Sequence, residues 1–138
     1  MFAQELVKLY NFHTFDSVGT QVSSKKKLTV QFHQERRQKL FHLLFAAYNG
    51  DLAALEQAFL SGVDMNLADY DYRTALHLAC AEDHLSCVKF LVETCKADLT
   101  VQDRWGMTPL QEALRCNRAR VVTLLKKHLA KEENRPTD

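Results

Sequence analysis

The chain is poor in the residues that interrupt helices, with four glycines and two prolines among 138 residues. Because Gly and Pro mark turns, this scarcity favours helices over an all-β fold. No run of 18 apolar residues occurs, so we expect no transmembrane helix. The formal net charge is only +1. The whole chain therefore gives no indication of nucleic acid or an acidic membrane as its target.

Metal-binding and redox spacings are also missing. The four cysteines are Cys80, Cys87, Cys95 and Cys116, and none of them belongs to a Cys-x-x-Cys motif. The first two fall at helix positions where any small apolar side chain would serve. We expect reduced structural thiols rather than a disulfide or a metal site. No phosphate-binding loop or spaced set of metal ligands is present, so we expect no cofactor and no metal.

The start of the chain has neither the basic region nor the apolar core of a signal peptide, and Glu5 and Asp16 are unlike a mitochondrial presequence. We expect no targeting signal within this chain. Phe2, Leu6 and Tyr10 lie at i, i+4 and i+8, which predicts a short amphipathic helix within residues 1–16. Residues 17–38 are polar and basic and predict a flexible linker. Its lysine run is read as solvated, with a nuclear signal or a lipid-binding patch as the alternatives.

The remaining sequence repeats itself. A helical pattern begins near Phe32 and is stopped at Gly50, and Asp51 is a good N-cap for a second helix ending near Leu60. Leu43 and Leu76, like Ala46 and Ala79, are 33 residues apart, whereas Leu76 and Leu110, like Thr74 and Thr108, are 34 apart. The extra residue is predicted in the loop around 94–96. The predicted repeats are 39–68, 69–102 and 103–130, followed by a disordered tail at 131–138.

Helix caps support this division. Thr108, with Pro at 109 and Gln111 three residues after the threonine, is a capping box, and Thr74 with His77 is the same device. The first copy has no such threonine, so we expect it to continue an upstream helix. A turn–helix–helix unit with a 33-residue period resembles the ankyrin repeat. The resemblance implies an all-α solenoid of about three helix-turn-helix repeats.

Several motifs carry a closer resemblance. They are Leu-Leu-Phe-Ala-Ala-Tyr at 43–48, Asp-Tyr-Asp at 69–71, Arg-Thr-Ala-Leu-His at 73–77, Val-Lys-Phe-Leu at 88–91 and Asp-Arg-Trp at 103–105. Together they resemble the C-terminal ankyrin region of animal kidney-type and liver-type glutaminases, and residues 1–16 look like the end of the catalytic domain. The resemblance implies a mitochondrial parent enzyme that hydrolyses glutamine to glutamate and ammonia. An oligomer is possible through that enzyme.

The chain contains two formal matches to the Ser-x-x-Lys pair of that catalytic domain, Ser86 with Lys89 and Ser23 with Lys26. Such a pair needs a buried lysine and an oxyanion hole. We expect Ser86 to face solvent and Ser23 to lie in the linker, so we assign no catalytic residue. A cysteine–histidine pair is the other option, but His77 is better explained as a cap and His84 as a packing residue between repeats.

Two functions remain open. The chain is either a non-catalytic interaction segment of a glutaminase or a free-standing ankyrin adaptor, which would be cytoplasmic. In both cases we expect a protein partner, which for a glutaminase can be its own catalytic domain, and neither nucleic acid nor a membrane. The partner-binding candidates lie on the turns before the helices and are Tyr70, Asp71, Tyr72, Arg73, Arg104 and Trp105, because Tyr, Arg and Trp often anchor interfaces. The alternative is that Tyr70 and Trp105 pack between neighbouring turns.

Overall fold

A computed structural model describes residues 24–135, with side-chain surroundings from residue 28 onward. The predicted helix within residues 1–16, the linker residues 17–23 and the tail residues 136–138 lie outside the described part. Six helices follow one another in it: α1 (Ser24–Asn49), α2 (Leu52–Leu60), α3 (Ala75–Ala81), α4 (Leu85–Lys89), α5 (Pro109–Arg115) and α6 (Ala119–Glu133). A π-helical segment, Phe90–Thr94, continues α4 directly.

The six helices form three successive pairs. The first helices of the pairs, α1, α3 and α5, pack side by side, and each contacts the second helix of its own pair. Between residues 24 and 135 the only pairing of extended backbone is an isolated antiparallel bridge from Ala68 to Thr74. The predicted all-α solenoid of three helix pairs is thus confirmed.

Small side chains allow the helices to approach closely. Ala46, Ala79 and Ala113 occupy equivalent positions in α1, α3 and α5, and all three are buried. The leucines Leu43 and Leu76 are buried beside them. A single pair of short helices cannot bury its apolar side chains alone, so each pair depends on the neighbouring pair to complete its core.

Helix α1 is longer than the sequence predicts. The linker expected over 17–38 is helical from Ser24, well before the expected start near Phe32. The segment has no Gly or Pro, and Lys, Gln, Arg and Glu are good helix formers, so a polar composition does not prevent a helix here. One turn of it carries Leu28 and Phe32, which are 69% and 61% exposed. The helix runs without a break into the first repeat, which accounts for the missing threonine cap.

The first helix of each pair ends in a left-handed residue. Gly50, Asp83 and Asn117 have φ values of 72°, 61° and 59°. Asp and Asn tolerate this conformation better than most residues. Only at the first position is glycine required for space, because a Cβ there would lie 2.6 Å from Nδ1 of His84.

The same corners tie neighbouring pairs together. Nε2 of His84 lies 2.9 Å from the carbonyl oxygen of Tyr48. One repeat later, Nε of Arg118 donates to the carbonyl of Ala81, also at 2.9 Å. An imidazole at one corner and a guanidinium at the next therefore bond to equivalent carbonyls, each near the end of the first helix of the preceding pair. His84 is an inter-repeat residue, as expected, but through a hydrogen bond.

The extra residue of the second repeat lies in a helix. In the first repeat the N–H of Ser61 donates to Gln57 and that of Val63 to Ala58. In the second repeat, the corresponding N–H groups of residues 95 and 97 donate to the carbonyls of residues 90 and 91. Each of these bonds spans one residue more than its counterpart in the first repeat. The prediction that the loop at 94–96 takes up the insertion is wrong. A π turn takes it up, because wider i→i+5 bonding accommodates one more residue between the same partners.

The last helix extends three residues beyond the predicted end of the repeat. Helix α6 reaches Glu133, so residues 131–133, expected in a disordered tail, are helical. Lys and Glu are good helix formers, and no glycine stops the helix earlier. The last pair also carries charged side chains at positions that are apolar in the middle pair. Glu112 and Arg115 stand where the middle pair has Leu78 and Ala81, and they pair with each other.

Candidate functional site

Two tight turns project ahead of α3 and α5 and have the same construction. We call residues 69–73 the first tip and residues 103–107 the second tip. In the first, Oδ1 of Asp69 accepts hydrogen bonds from the N–H groups of Asp71 and Arg73 at 2.8 and 3.0 Å. In the second, Oδ1 of Asp103 accepts from residues 105 and 107, both at 2.9 Å. Each aspartate therefore fixes the backbone of its own turn.

Burial accompanies this role of the aspartates. Asp103 is a buried charged residue. Burial raises the pKa of the Asp69 carboxyl, and the two backbone N–H groups that it accepts act in the opposite direction. Each carboxylate is therefore used, through its Oδ1, to hold its own turn.

The two tips are joined to each other. The N–H of Arg104 donates to the carbonyl of Asp71 at 2.8 Å. The side chains of the same two residues form an ion pair at 3.4 Å, although pairs this exposed contribute little. The guanidinium of Arg73 lies 4.8 Å from the ring centroid of Trp105, within cation–π distance. The main-chain bond and the stacking contact make the tips one rigid surface.

Three aromatic side chains stand out from this surface. Tyr70, Tyr72 and Trp105 are 70%, 62% and 60% exposed. Trp105 does contact the neighbouring tip through Arg73, yet the residue as a whole remains mostly exposed. We call these three aromatic residues, together with Arg73 and Arg104, the tip surface. Asp71, the sixth candidate, is partly buried and engaged by Arg104.

Tyr72 adopts an unusual backbone conformation. Its φ is 59°, and the equivalent residue of the second tip is Gly106 with φ 78°. Left-handed conformations are disfavoured for residues with a bulky side chain, whereas Gly adopts them without cost. The turn therefore favours glycine, and at Tyr72 it carries a large exposed side chain instead.

Behind the tips, both capping boxes are present. Thr74 accepts from the N–H of His77, and Nδ1 of His77 accepts the Thr74 N–H at 3.2 Å. In the next repeat, Gln111 accepts the Thr108 N–H at 2.9 Å. His77 also makes a second contact, which its position in the sequence does not predict. Its Nε2 lies 2.9 Å from the carbonyl oxygen of Met107, in the second tip.

These contacts fix the state of the His77 ring. A carbonyl can only accept, so Nε2 carries the proton and Nδ1 is the acceptor. The side chain is buried, and burial lowers its pKa, against the opposing effect of the Met107 carbonyl. The neutral ring thus connects the start of α3 to the following tip. Only the cap, and not this link, is visible in the sequence.

A groove of about 350 Å³ lies between the second and third pairs. Its lining includes His77, Asp103, Glu112, Arg115 and Arg118. Their polar atoms are largely engaged within the protein, since Glu112 pairs with Arg115 and Arg118 donates to the carbonyl of Ala81. This groove is not visible in the sequence, because its lining residues come from two repeats.

The formal catalytic pair lies on the surface. Ser86 and Lys89 are both exposed, whereas such a pair needs a pocket that removes water from the lysine. The other match, Ser23 with Lys26, involves a residue outside the described part. Between residues 24 and 135, no helix is both long and apolar enough to cross a membrane.

The cysteines are free thiols in poor environments for reactivity. Cys80 and Cys87 are buried, and burial raises the pKa of both. Burial also raises the pKa of Cys95 to about 11. Since the thiolate is the nucleophile, these three residues are suited to packing rather than to chemistry.

Comparison with known proteins places these features in context. Residues 43–136 match the family described as "Ankyrin repeats (3 copies)". The chain is 47% identical over 124 residues to the mitochondrial liver isoform of glutaminase from Rattus norvegicus, covering 90% of this chain and 20% of that protein. It is 33% identical over 139 residues to the putative glutaminase 2 of Caenorhabditis elegans, covering 99% and 22%. The potassium channel KOR1 of Oryza sativa subsp. japonica is 42% identical over 84 residues, covering 61% and 10%.

The chain thus spans about a fifth of the length of the glutaminases that it matches. The predicted resemblance to the ankyrin region of animal glutaminases is confirmed. The match to the channel is confined to a smaller share of this chain.

Proposed function

The chain belongs to the ankyrin-repeat family, and on that premise we propose that it is the non-catalytic interaction and regulatory segment of a glutaminase. Ankyrin repeats mediate contacts between proteins, and the glutaminases match nearly the whole chain. In this proposal the parent enzyme converts glutamine and water to glutamate and ammonia with a domain outside this chain. The name of the rat relative, which is a mitochondrial isoform, supports a mitochondrial location.

The observation that carries the proposal is the tip surface. Three large aromatic side chains are at least 60% exposed on a backbone that is already fixed by hydrogen bonds. Burying side chains of this size under a partner is favourable, at roughly 25 cal/mol per Å² of apolar area. A preformed turn also avoids the entropic cost of ordering a loop on binding. The tip surface is therefore well suited to hold a protein, here the catalytic domain of the parent enzyme or another protein.

The direct test is binding of the full chain to a purified glutaminase catalytic domain, measured by biolayer interferometry. We expect the double variant Tyr72→Ala/Arg73→Ala to bind at least tenfold more weakly. The matched control is Leu60→Ala, because Leu60 is 79% exposed but ends α2 rather than lying on a tip. Its binding should equal that of the unmodified chain.

A urea unfolding curve of each variant keeps the test interpretable. The double variant should unfold at nearly the same urea concentration as the unmodified chain. A large loss of stability, or a binding constant that does not change, would count against a role of the tips in binding.

A further inference from the structure

We propose that the tip surface binds a proline-rich, extended segment of its protein partner, and that it does so through side chains alone. This inference rests on the proposed function, since it names the chemistry of the segment that the same surface would take. It follows from which hydrogen-bonding groups of the tips are already used and which are still presented.

The backbone of the tips has few donors left to offer. The N–H groups of Tyr72 and Gly106 donate within their own turns, and that of Arg104 donates to the other tip. Those of Asp71, Arg73, Thr74, Trp105, Met107 and Thr108 donate to side chains of the protein. A partner strand that adds to a sheet edge, or a terminal carboxylate captured by backbone groups, needs free N–H groups. These two modes of recognition do not fit the tips.

Two further modes of recognition also fit poorly. Acidic and phosphorylated peptides are bound by clusters of available arginines. Here the Asp71 carboxylate lies 3.4 Å from the guanidinium of Arg104 and would repel an acidic segment, and Arg73 lies over Trp105. An amphipathic helix needs a continuous apolar groove, whereas arginines and an aspartate interrupt the apolar surface between the three aromatic side chains.

A proline-rich segment matches what remains. Such segments adopt a polyproline II helix that has no internal hydrogen bonds and exposes its carbonyls. Grooves lined by aromatic side chains bind it at low entropic cost because the helix is already formed, and the space between the projecting rings of the tip surface would serve as that groove. The indole N–H of Trp105 and the hydroxyls of Tyr70 and Tyr72 are the matching donors, on side chains that are 60–70% exposed.

The strain at Tyr72 supports the same assignment. With φ at 59° and most of its ring in solvent, this side chain is costly for the turn and buries little apolar area. The second tip satisfies the same backbone requirement with Gly106. A residue that the fold disfavours at an exposed position is well explained by a role in binding.

The single tryptophan of the chain makes the test specific. Trp105 fluorescence is recorded while the full chain is titrated with a ten-residue polyproline peptide. We expect a saturable change that is at least tenfold weaker for Tyr72→Gly and unchanged for Leu60→Ala. Glycine fits the backbone at this position, so the variant keeps the turn and removes only the side chain. Parallel titrations use a Gly-Ser decapeptide, a decaglutamate and an amphipathic helical peptide.

The inference is overturned if polyproline gives no saturable change, or if any of the three other peptides binds as well as polyproline. Comparison with the catalytic-domain experiment separates the two proposals. If Tyr72→Ala/Arg73→Ala still weakens binding to the catalytic domain while polyproline fails, only the proline assignment is wrong. If the double variant binds the catalytic domain normally, the proposed role of the tips fails as well.

Discussion

The link between α3 and the second tip makes His77 a sensitive point of the array. Replacing it with leucine, the residue at the equivalent position 44 of the first repeat, leaves the Thr74 N–H without its acceptor. The Met107 carbonyl loses the His77 donor but keeps the N–H of Asp103. The unsatisfied N–H costs about 1–3 kcal/mol, and the lost hydrogen bond to Met107 costs about 1 kcal/mol more. A fully buried leucine contributes about 1.5–3 kcal/mol, but the His77 side chain that it replaces is buried as well, so the exchange returns only part of this. We therefore expect His77→Leu to lower the free energy of unfolding by roughly 1–3 kcal/mol.

His77→Gln is the matched variant. Gln111 shows that a glutamine at this position accepts the N–H of its capping threonine. This variant should therefore keep the cap and lose only the bond to Met107. Since a cap contributes about 1 kcal/mol, His77→Gln should be more stable than His77→Leu by about that amount. Urea unfolding at pH 7.5 measures both differences.

The pH dependence follows from the direction of the shift. The folded-state pKa of His77 lies below its unfolded value, which is near 6.5. Its contribution to stability is therefore complete above about pH 6.5 and is lost as the pH falls through the folded pKa. One proton changes the free energy of unfolding by at most about 1.4 kcal/mol per pH unit. Both variants should lose stability less steeply than the unmodified chain below pH 6.5.

This comparison uses the difference between two curves, so the other histidines cancel. Unfolding curves at intervals between pH 7.5 and pH 5 are sufficient. Parallel curves for the unmodified chain and His77→Gln, or a His77→Leu chain that is as stable as the unmodified one, would refute the role assigned to the ring.

Three other substitutions or reactions test the structure. Gly50→Ala should lower the free energy of unfolding in urea by well over 1 kcal/mol, because a Cβ there lies 2.6 Å from the His84 imidazole. Gly62 has a φ of 81° but open space around it, so Gly62→Ala should lower it by only about 1 kcal/mol. Equal losses for the two variants would contradict the steric argument. Tyr72→Gly should stabilise the fold by about 0.5–1 kcal/mol by relieving its left-handed backbone, and a clear destabilisation would show that its side chain supports the turn. Under native conditions, Cys80 and Cys87 should react with a thiol reagent only after unfolding, because both are buried; rapid native labelling located at either residue by mass spectrometry would disprove that packing.

Much of the fold follows from the sequence because its signals are local and repeated. The threonines at 74 and 108 mark helix N-termini, and equivalent apolar residues recur at intervals of 33 or 34 residues. The errors arise where a local signal has two meanings. The polar residues at 24–31 are equally typical of a linker and of an exposed helix, and helix propensity with no interrupting residue decides for the helix.

The candidate surface is predictable only in part. Its residue types and its place on the turns follow from the repeat, since Tyr70 and Trp105 precede recognisable caps. The contacts between tips do not, because they join residues about 30 positions apart, such as Arg73 and Trp105. The bond from His77 to the Met107 carbonyl is equally hidden, because a backbone acceptor leaves no trace in the identity of a side chain.

The π turn at Phe90–Thr94 shows how such an array can tolerate a change in length. The bonds that close the first repeat reappear in the second with one more residue enclosed, and the next repeat resumes with its caps and its core positions in phase. Equivalent residues of the two repeats form the same backbone hydrogen bonds, while the number of residues between the donor and the acceptor differs by one. An insertion of one residue near the end of the second helix of a pair is thus accommodated within that helix, and the following tip keeps its position relative to the preceding one.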